Sequence, residues 1–310
     1  MLDFVNIFFL SFIVVQIIIL NYEILHGKIK LILFRKPIKL TGIQEKMIVS
    51  GWGKDTLDLT TVEKIEYLSD NLKVVGHVAY PKNPSGKIPC VIWCRGGINN
   101  AGKLDDFNAR GILGQIASWG YFVLSTQYRG NDGGEGQDEF GGNDLNDVLN
   151  LIPLANEFEF ADTSKWGIEG WSRGGMMAYL LLARTRVFST AIISGGIADL
   201  NCGVSENKYI QRLFKITTGK EIPFNYEFEC SKRSAINFAD KIFKDCSILI
   251  MHGTDDDRVP VNDSIRMAEK LILNKNNVKL VLFEQGDHFL KKHREEVNAL
   301  RKNWLNKYLK

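Results

Sequence analysis

The sequence predicts an α/β fold built on a mostly parallel, doubly wound sheet. Three observations carry the prediction. Short runs of apolar, β-branched and aromatic residues recur along the chain from Val62 onward. Most are apolar without alternation, as strands buried on both faces are. Segments of helical character separate them, and strands alternating with helices form parallel sheets covered on both faces.

The first two runs, Val62–Leu68 and Val74–Tyr80, flank Ser69-Asp70-Asn71 and predict a hairpin. Cys90–Cys94, Phe122–Tyr128, Trp166–Trp171, Thr190–Ser194, Ser247–Met251 and Val278–Phe283 follow as further strands. Helices are expected at Asp106–Trp119, Asn143–Leu154, Met176–Arg184, Asp263–Leu273 and Glu295–Leu309. Asn262 or Asp263 is the expected N-cap of the fourth. Residues 26–60 have no clear pattern and read as a linker or extension before a catalytic domain over 61–310. Residues 199–244 break the strand–helix rhythm and read as an insertion. Its aromatics Tyr209, Phe214 and Tyr226 are candidates for shaping a substrate pocket, or for simple packing.

The chain has 310 residues, of which 45% are hydrophobic and 24% charged, enough for one large core. With 39 basic and 36 acidic residues, the net charge of +3 gives no electrostatic basis for a nucleic-acid partner. The five cysteines are odd in number and lack metal-binding spacing, so they read as reduced, buried thiols.

Residues 1–25 form a hydrophobic N-terminal segment, and Phe4–Leu20 carries no charge. Its length is at the lower limit for crossing a bilayer. Asp3 at its start and the lack of a small-residue cleavage site favour a retained anchor over a cleaved signal. Lys28, Lys30, Arg35, Lys36 and Lys39 follow closely, which would keep the catalytic domain on the cytoplasmic side. The other reading is an apolar helix packed on the domain or on a partner.

The sharpest motif is Gly170-Trp171-Ser172-Arg173-Gly174-Gly175. It fits G-x-S-x-G between a buried strand and an apolar helix, the context of a nucleophile elbow in an α/β-hydrolase fold. The turn lifts the serine hydroxyl clear of the sheet and aims free helix N–H groups at a reacting carbonyl. Trp171, beside the serine, is a candidate substrate contact. A serine needs a base, and this fold supplies partners in the order Ser, Asp, His. His288 lies in the loop after the last strand, where a base is required. His293 reads as part of a solvated helix face, and His252 as structural. Asp255, Asp256 and Asp257 follow the Ser247 strand, and spacing does not choose among them. Any of the three could hold the imidazole in the right tautomer. No metal or organic cofactor is required.

From Val62 onward, the chain resembles the catalytic domain of the prolyl oligopeptidase family of serine hydrolases. Val91-Ile92-Trp93-Cys94-Arg95-Gly96-Gly97 resembles the family's first strand and oxyanion loop. Tyr128-Arg129-Gly130 with the glycine-rich stretch behind it resembles the second loop. GWSRGG resembles the elbow, and HGTDDDRVP with GDH the acid and base loops. Carried over by position, the resemblance selects Asp256 as the acid. Two departures stand out. Too few residues precede Val62 for the family's β-propeller, and Arg95 stands where the family carries an oxyanion tyrosine. Oxyanion donors are then the Arg173 N–H and either the backbone near Gly97 or Arg95 itself. The implied activity is a serine peptidase acting on short peptides through an acyl-enzyme. Its rivals are a carboxylesterase for small esters and a catalytically silent, membrane-tethered interaction protein.

Overall fold

The computed structural model describes residues 30–200 and 226–310. Among them nine strands form one sheet: β1 (Ile32–Pro37), β2 (Thr60–Ser69), β3 (Leu72–Pro81), β4 (Ile88–Cys94), β5 (Phe122–Thr126), β6 (Ala161–Trp171), β7 (Phe188–Ser194), β8 (Ser247–Gly253) and β9 (Asn277–Phe283). The order is β1-β2-β3-β5-β4-β6-β7-β8-β9. The first three strands pair antiparallel, and β3 meets β5 antiparallel. From β5 to β9 all pairs are parallel.

The predicted hairpin is present as β2 and β3. Asp70 and Asn71 both have positive φ, 51° and 63°, as a tight turn matching the strand twist requires. Every residue of β4 and β8 is buried, which explains their unbroken apolar runs. The edge strand β1 is exposed along most of its length and carries Arg35, Lys36 and Pro37, residues that discourage further pairing.

The helices are α1 (Gly42–Trp52), α2 (Asp55–Asp58), α3 (Asp106–Ser118), α4 (Leu145–Leu149), α5 (Leu151–Leu154), α6 (Arg173–Leu182), α7 (Tyr226–Arg233), α8 (Val261–Leu273) and α9 (Arg294–Leu309). Strand alternation divides the core between the two sheet faces. Cys90, Ile92 and Cys94 of β4 belong to the core on the face covered by α6 and α8, while Val91 and Trp93 belong to the core on the face covered by α3 and α9. The four described cysteines are free and buried, and burial pushes Cys90 and Cys246 up to about 12.

Three expectations need amendment. The single helix expected over 143–154 is two, α4 ending at Leu149. The Pro153 ring would clash with the carbonyl four residues earlier, at Leu149. The N-cap of α8 is Pro260, not Asn262 or Asp263. Asp263 instead accepts the N–H groups of Ala198 and Asp199, at 2.8 and 3.1 Å. Residues 32–58, read as linker or extension, supply an edge strand and two helices, and α1 packs on α3. The hydrophobic segment at residues 4–20 lies outside the described residues. Among those described, no helix is long and apolar enough to cross a membrane.

β4 is flanked by β5 on one side and β6 on the other, so successive strands leave it in opposite directions. Such a reversal opens a crevice at the carboxyl ends of the strands, where ligands bind in open α/β sheets. The Gly96-Gly97 loop and Ser172 lie there, directly after β4 and β6.

His77 on β3 is buried, and neither ring nitrogen has a hydrogen-bond partner. Burial, with Lys64 nearby, lowers its pKa to about 4. The unfolded chain therefore binds a proton that the folded chain refuses between the ordinary value and 4, and stability falls as pH drops through that window. The full effect is about 3 kcal/mol. His77→Leu is expected to flatten this acid limb in denaturant titrations at pH 7 and pH 4.5.

Candidate active site

Ser172 joins β6 to α6 at φ 59° and ψ −123°, a conformation non-glycine residues rarely adopt. Packing around the turn enforces it. A Cβ at Gly174 would sit 1.9 Å from the Cys94 carbonyl oxygen, and one at Gly170 would sit 2.1 Å from that of Gly174. Only glycine fits either position. The Ser172 N–H donates to Ser194 O at 2.9 Å and ties the elbow to β7.

Asp256 lies in the turn after β8. Its Oδ1 accepts the N–H groups of Arg258 and Val259, each at 2.9 Å. Its Oδ2 is 2.7 Å from Nδ1 of His288, in the loop after β9. The neighbouring carboxylates Asp255 and Asp257 are exposed, so the geometry resolves the choice that spacing leaves open. Burial would raise the Asp256 carboxyl. Hydrogen bonds from His252, His288 and the Val259 amide outweigh it and hold the group well below the usual carboxylate range. The His288 loop is pinned by Trp171, whose indole N–H donates to His288 O at 2.9 Å. Trp171 thus positions the base loop as well as lining the cavity.

With Nδ1 committed to Asp256, Nε2 is the His288 nitrogen left to exchange a proton with the serine. Ser172 and His288 line one cavity of about 810 Å³. Among the described residues the Ser172 hydroxyl makes no hydrogen bond, so its bond to His288 is not closed here. Such contacts commonly tighten only when substrate binds.

The oxyanion loop passes against the serine: a Cβ on Gly96 would lie 3.2 Å from Ser172 Cβ. Gly97 turns there at φ 71° and lines the cavity. The N–H of Arg173, first in α6, has no intrahelical acceptor. Arg95, a candidate donor on sequence grounds, is fully buried and engaged elsewhere. Its guanidinium donates to the carbonyls of Gln127, Gly96 and Asn99 at 2.7–3.1 Å and so shapes the loop. The candidate oxyanion donors left facing the serine are main-chain groups.

Two side-chain roles are absent from the sequence reading. The Arg173 guanidinium is buried, donates to Asp138 at 2.7 Å and Asp144 at 2.5 Å, and lies over the rings of Tyr128 and Phe140. It also donates to Gly97 O at 3.1 Å, coupling the elbow to both neighbouring loops. His252 is the other. Its Nε2 faces two acceptors, Val259 O at 3.0 Å and Asp256 Oδ2 at 3.1 Å, so that nitrogen carries the proton. It donates to the same Asp256 oxygen that faces His288 and so helps fix that carboxylate. The only signal in the sequence is its spacing four residues before Asp256. His252→Phe is expected to lower stability by about 1–3 kcal/mol by leaving Val259 O without a donor. It should reduce kcat more than it changes KM. His293 donates to or accepts from nothing in the triad; its Nε2 meets Glu284 O at 3.0 Å. His293→Ala should leave kcat/KM within about twofold of wild type.

Tyr209 and Phe214 lie outside the described residues, and of Tyr226 only its place at the start of α7 is described. Among the described residues, no three His, Cys, Asp or Glu side chains come together to hold a metal.

A family model described as the prolyl oligopeptidase family matches residues 110–310. The chain belongs to this family. As a member it is a serine-type peptidase. It is 31% identical to the uncharacterized peptidase YtmA of Bacillus subtilis over 209 residues, covering 66% of this chain and 77% of that protein. It is 25% identical to the uncharacterized peptidase YuxL of the same species, covering 87% of this chain but 42% of the relative. Among solved structures it is similar to the Pyrococcus horikoshii acylaminoacyl peptidase, with a TM-score of 0.71 at 21% identity. That match covers 88% of this chain and 44% of the other. A puromycin-hydrolyzing peptidase of Mycobacterium tuberculosis aligns with a TM-score of 0.65 at 21% identity, over 79% of this chain and 39% of that one. These structural likenesses bear out the α/β-hydrolase fold. Apart from YtmA, the chain spans less than half the length of these relatives.

Proposed function

We propose that this family member cleaves short peptides through an acyl-enzyme on Ser172. The single observation that supports it most is the 2.7 Å pair between His288 Nδ1 and Asp256, set beside a strained Ser172 on one cavity. Ser172 Oγ attacks the scissile carbonyl carbon as its proton passes to His288 Nε2. The carbonyl oxygen takes up negative charge and is met by the N–H groups of Arg173 and Gly97. The imidazolium, stabilised by the Asp256 carboxylate, then protonates the leaving amine as the C–N bond breaks. Water, deprotonated by the same nitrogen, attacks the ester carbonyl, and the serine leaves with the proton.

The test is a panel of aminoacyl and short-peptide arylamides run beside p-nitrophenyl esters. Arylamide cleavage that is lost in His288→Ala is the expected result. Ester turnover with no amide cleavage would reject the peptidase reading in favour of a carboxylesterase with the same triad.

A further inference from the structure

The mouth of the cavity at Ser172 carries charge of one sign. Its exposed charged lining residues are Lys103, Arg258, Lys291 and Arg294, all of them basic. Among the described residues, the one carboxylate in the lining is Glu169, which is buried and already accepts from Arg301. The acidic neighbours of these cations in the chain, Asp255, Asp257, Glu295 and Glu296, do not line the cavity. Lys103 and Lys291 have carboxylate partners outside the lining, Asp132 at 3.3 Å and Asp287 at 3.8 Å.

Arg294, the first residue of α9, is held differently. Its guanidinium carbon lies 4.9 Å from the centroid of the Trp52 ring, at the end of α1. A Cβ on Gly51 would sit 3.7 Å from its Nη1, so the side chain reaches from α9 across to α1. Among the described residues it makes no hydrogen bond and no ion pair. Trp52 also lines the cavity and is itself fixed. A Cβ on Gly111 of α3 would come within 2.7 Å of the indole, so only glycine leaves room for it. The Phe107 ring meets the indole nearly at right angles, with centroids 5.6 Å apart.

An arginine laid on an aromatic face keeps its in-plane N–H donors at the edge, and less of its freedom remains to be lost on gaining a partner. A guanidinium fork held this way matches a carboxylate. We propose that Arg294, on its Trp52 platform, docks a carboxylate of the substrate, so that this peptidase favours acidic short peptides. The carboxylate is either the peptide's own C-terminus or an Asp or Glu side chain. The other three cations at the mouth add a potential of the same sign, which draws anions in. The platform stands on residues 42–52, before the residues 110–310 that the family model matches. The inference rests on the peptidase reading for its choice of substrates.

Its test follows cleavage of short peptides by mass spectrometry at low salt. Each peptide is paired with a neutral counterpart, C-terminal acid against amide, and Glu against Gln at each position. In wild type, kcat/KM for an acidic member should exceed that of its neutral partner by about fivefold. A preference confined to the acid–amide pairs identifies the terminal carboxylate, and one confined to a Glu–Gln pair identifies the side chain. Arg294→Gln should bring the ratio close to one, and Arg294→Glu should invert it. Trp52→Leu leaves the arginine without its platform and should weaken the preference, which Trp52→Phe should retain. Raising sodium chloride from about 0.02 to about 0.5 M should shrink the wild-type ratio. Equal rates within every pair in wild type would overturn the proposal, as would a preference unchanged in Arg294→Gln. If no peptide is cleaved, the peptidase reading fails. The docking point is then read separately, by calorimetric binding of the same pairs to wild type and Arg294→Gln. Tighter binding of the acidic member that is lost in the variant upholds it, and equal binding within every pair overturns it.

Discussion

Ser172→Ala is expected to lower kcat/KM on any cleaved substrate by about 10⁴-fold or more, because the proposed acyl-enzyme forms on the hydroxyl it removes. The fold should survive. The elbow is held by the Ser172 N–H bond to Ser194 O and by the close approach of Gly174 to Cys94, neither of which involves the hydroxyl. Alanine keeps the Cβ that this backbone already accommodates. A thermal melt within about 2 °C of wild type, beside the kinetic loss, is the predicted pair of results. Activity comparable to wild type would remove Ser172 from the mechanism.

Arg173→Met should produce the largest loss of stability. Arg173, Asp138 and Asp144 are all buried, with Arg173 and Asp144 at most 1% exposed at their side chains. Burial alone would lower the Arg173 pKa, but the two carboxylates outweigh it and keep the guanidinium charged. Removing it leaves two buried carboxylates facing each other without a cation. Breaking such a pair costs about 3–5 kcal/mol, or roughly 10 °C in melting temperature. Activity should fall further than stability explains, because the same guanidinium holds Gly97 O and with it the oxyanion loop. Arg173→Lys keeps the charge but loses the fork that reaches both carboxylates, and should fall between wild type and Arg173→Met.

Much of this was legible in the chain. Buried parallel strands announce themselves by unbroken apolar runs, which is why β4 and β8 stand out. The elbow is legible because steric need puts glycine on both sides of a serine between a strand and a helix. His288 follows from its place after the last strand. The choice among Asp255, Asp256 and Asp257 is different: it depends on which carboxylate a turn directs inward, and spacing does not encode that. The edge strand β1 escaped notice because exposed strands lack an apolar run. The side-chain partners of Arg173 and His252 escaped for a common reason. Each of the two residues acts through a carboxylate far off in the chain or around a turn, Asp138 in the second loop or Asp256 after β8. A lone charged residue in sequence looks the same whether it meets water or a buried partner.

Ser172, His288 and Asp256, from three separate loops, are expected to act as one unit. Labelling with a fluorophosphonate probe, with the adduct located by mass spectrometry, tests it most directly. One modified residue, Ser172, is expected in wild type, with labelling slowed by orders of magnitude in both His288→Ala and Asp256→Ala. An adduct on another serine, or undiminished Ser172 labelling in His288→Ala, would contradict it.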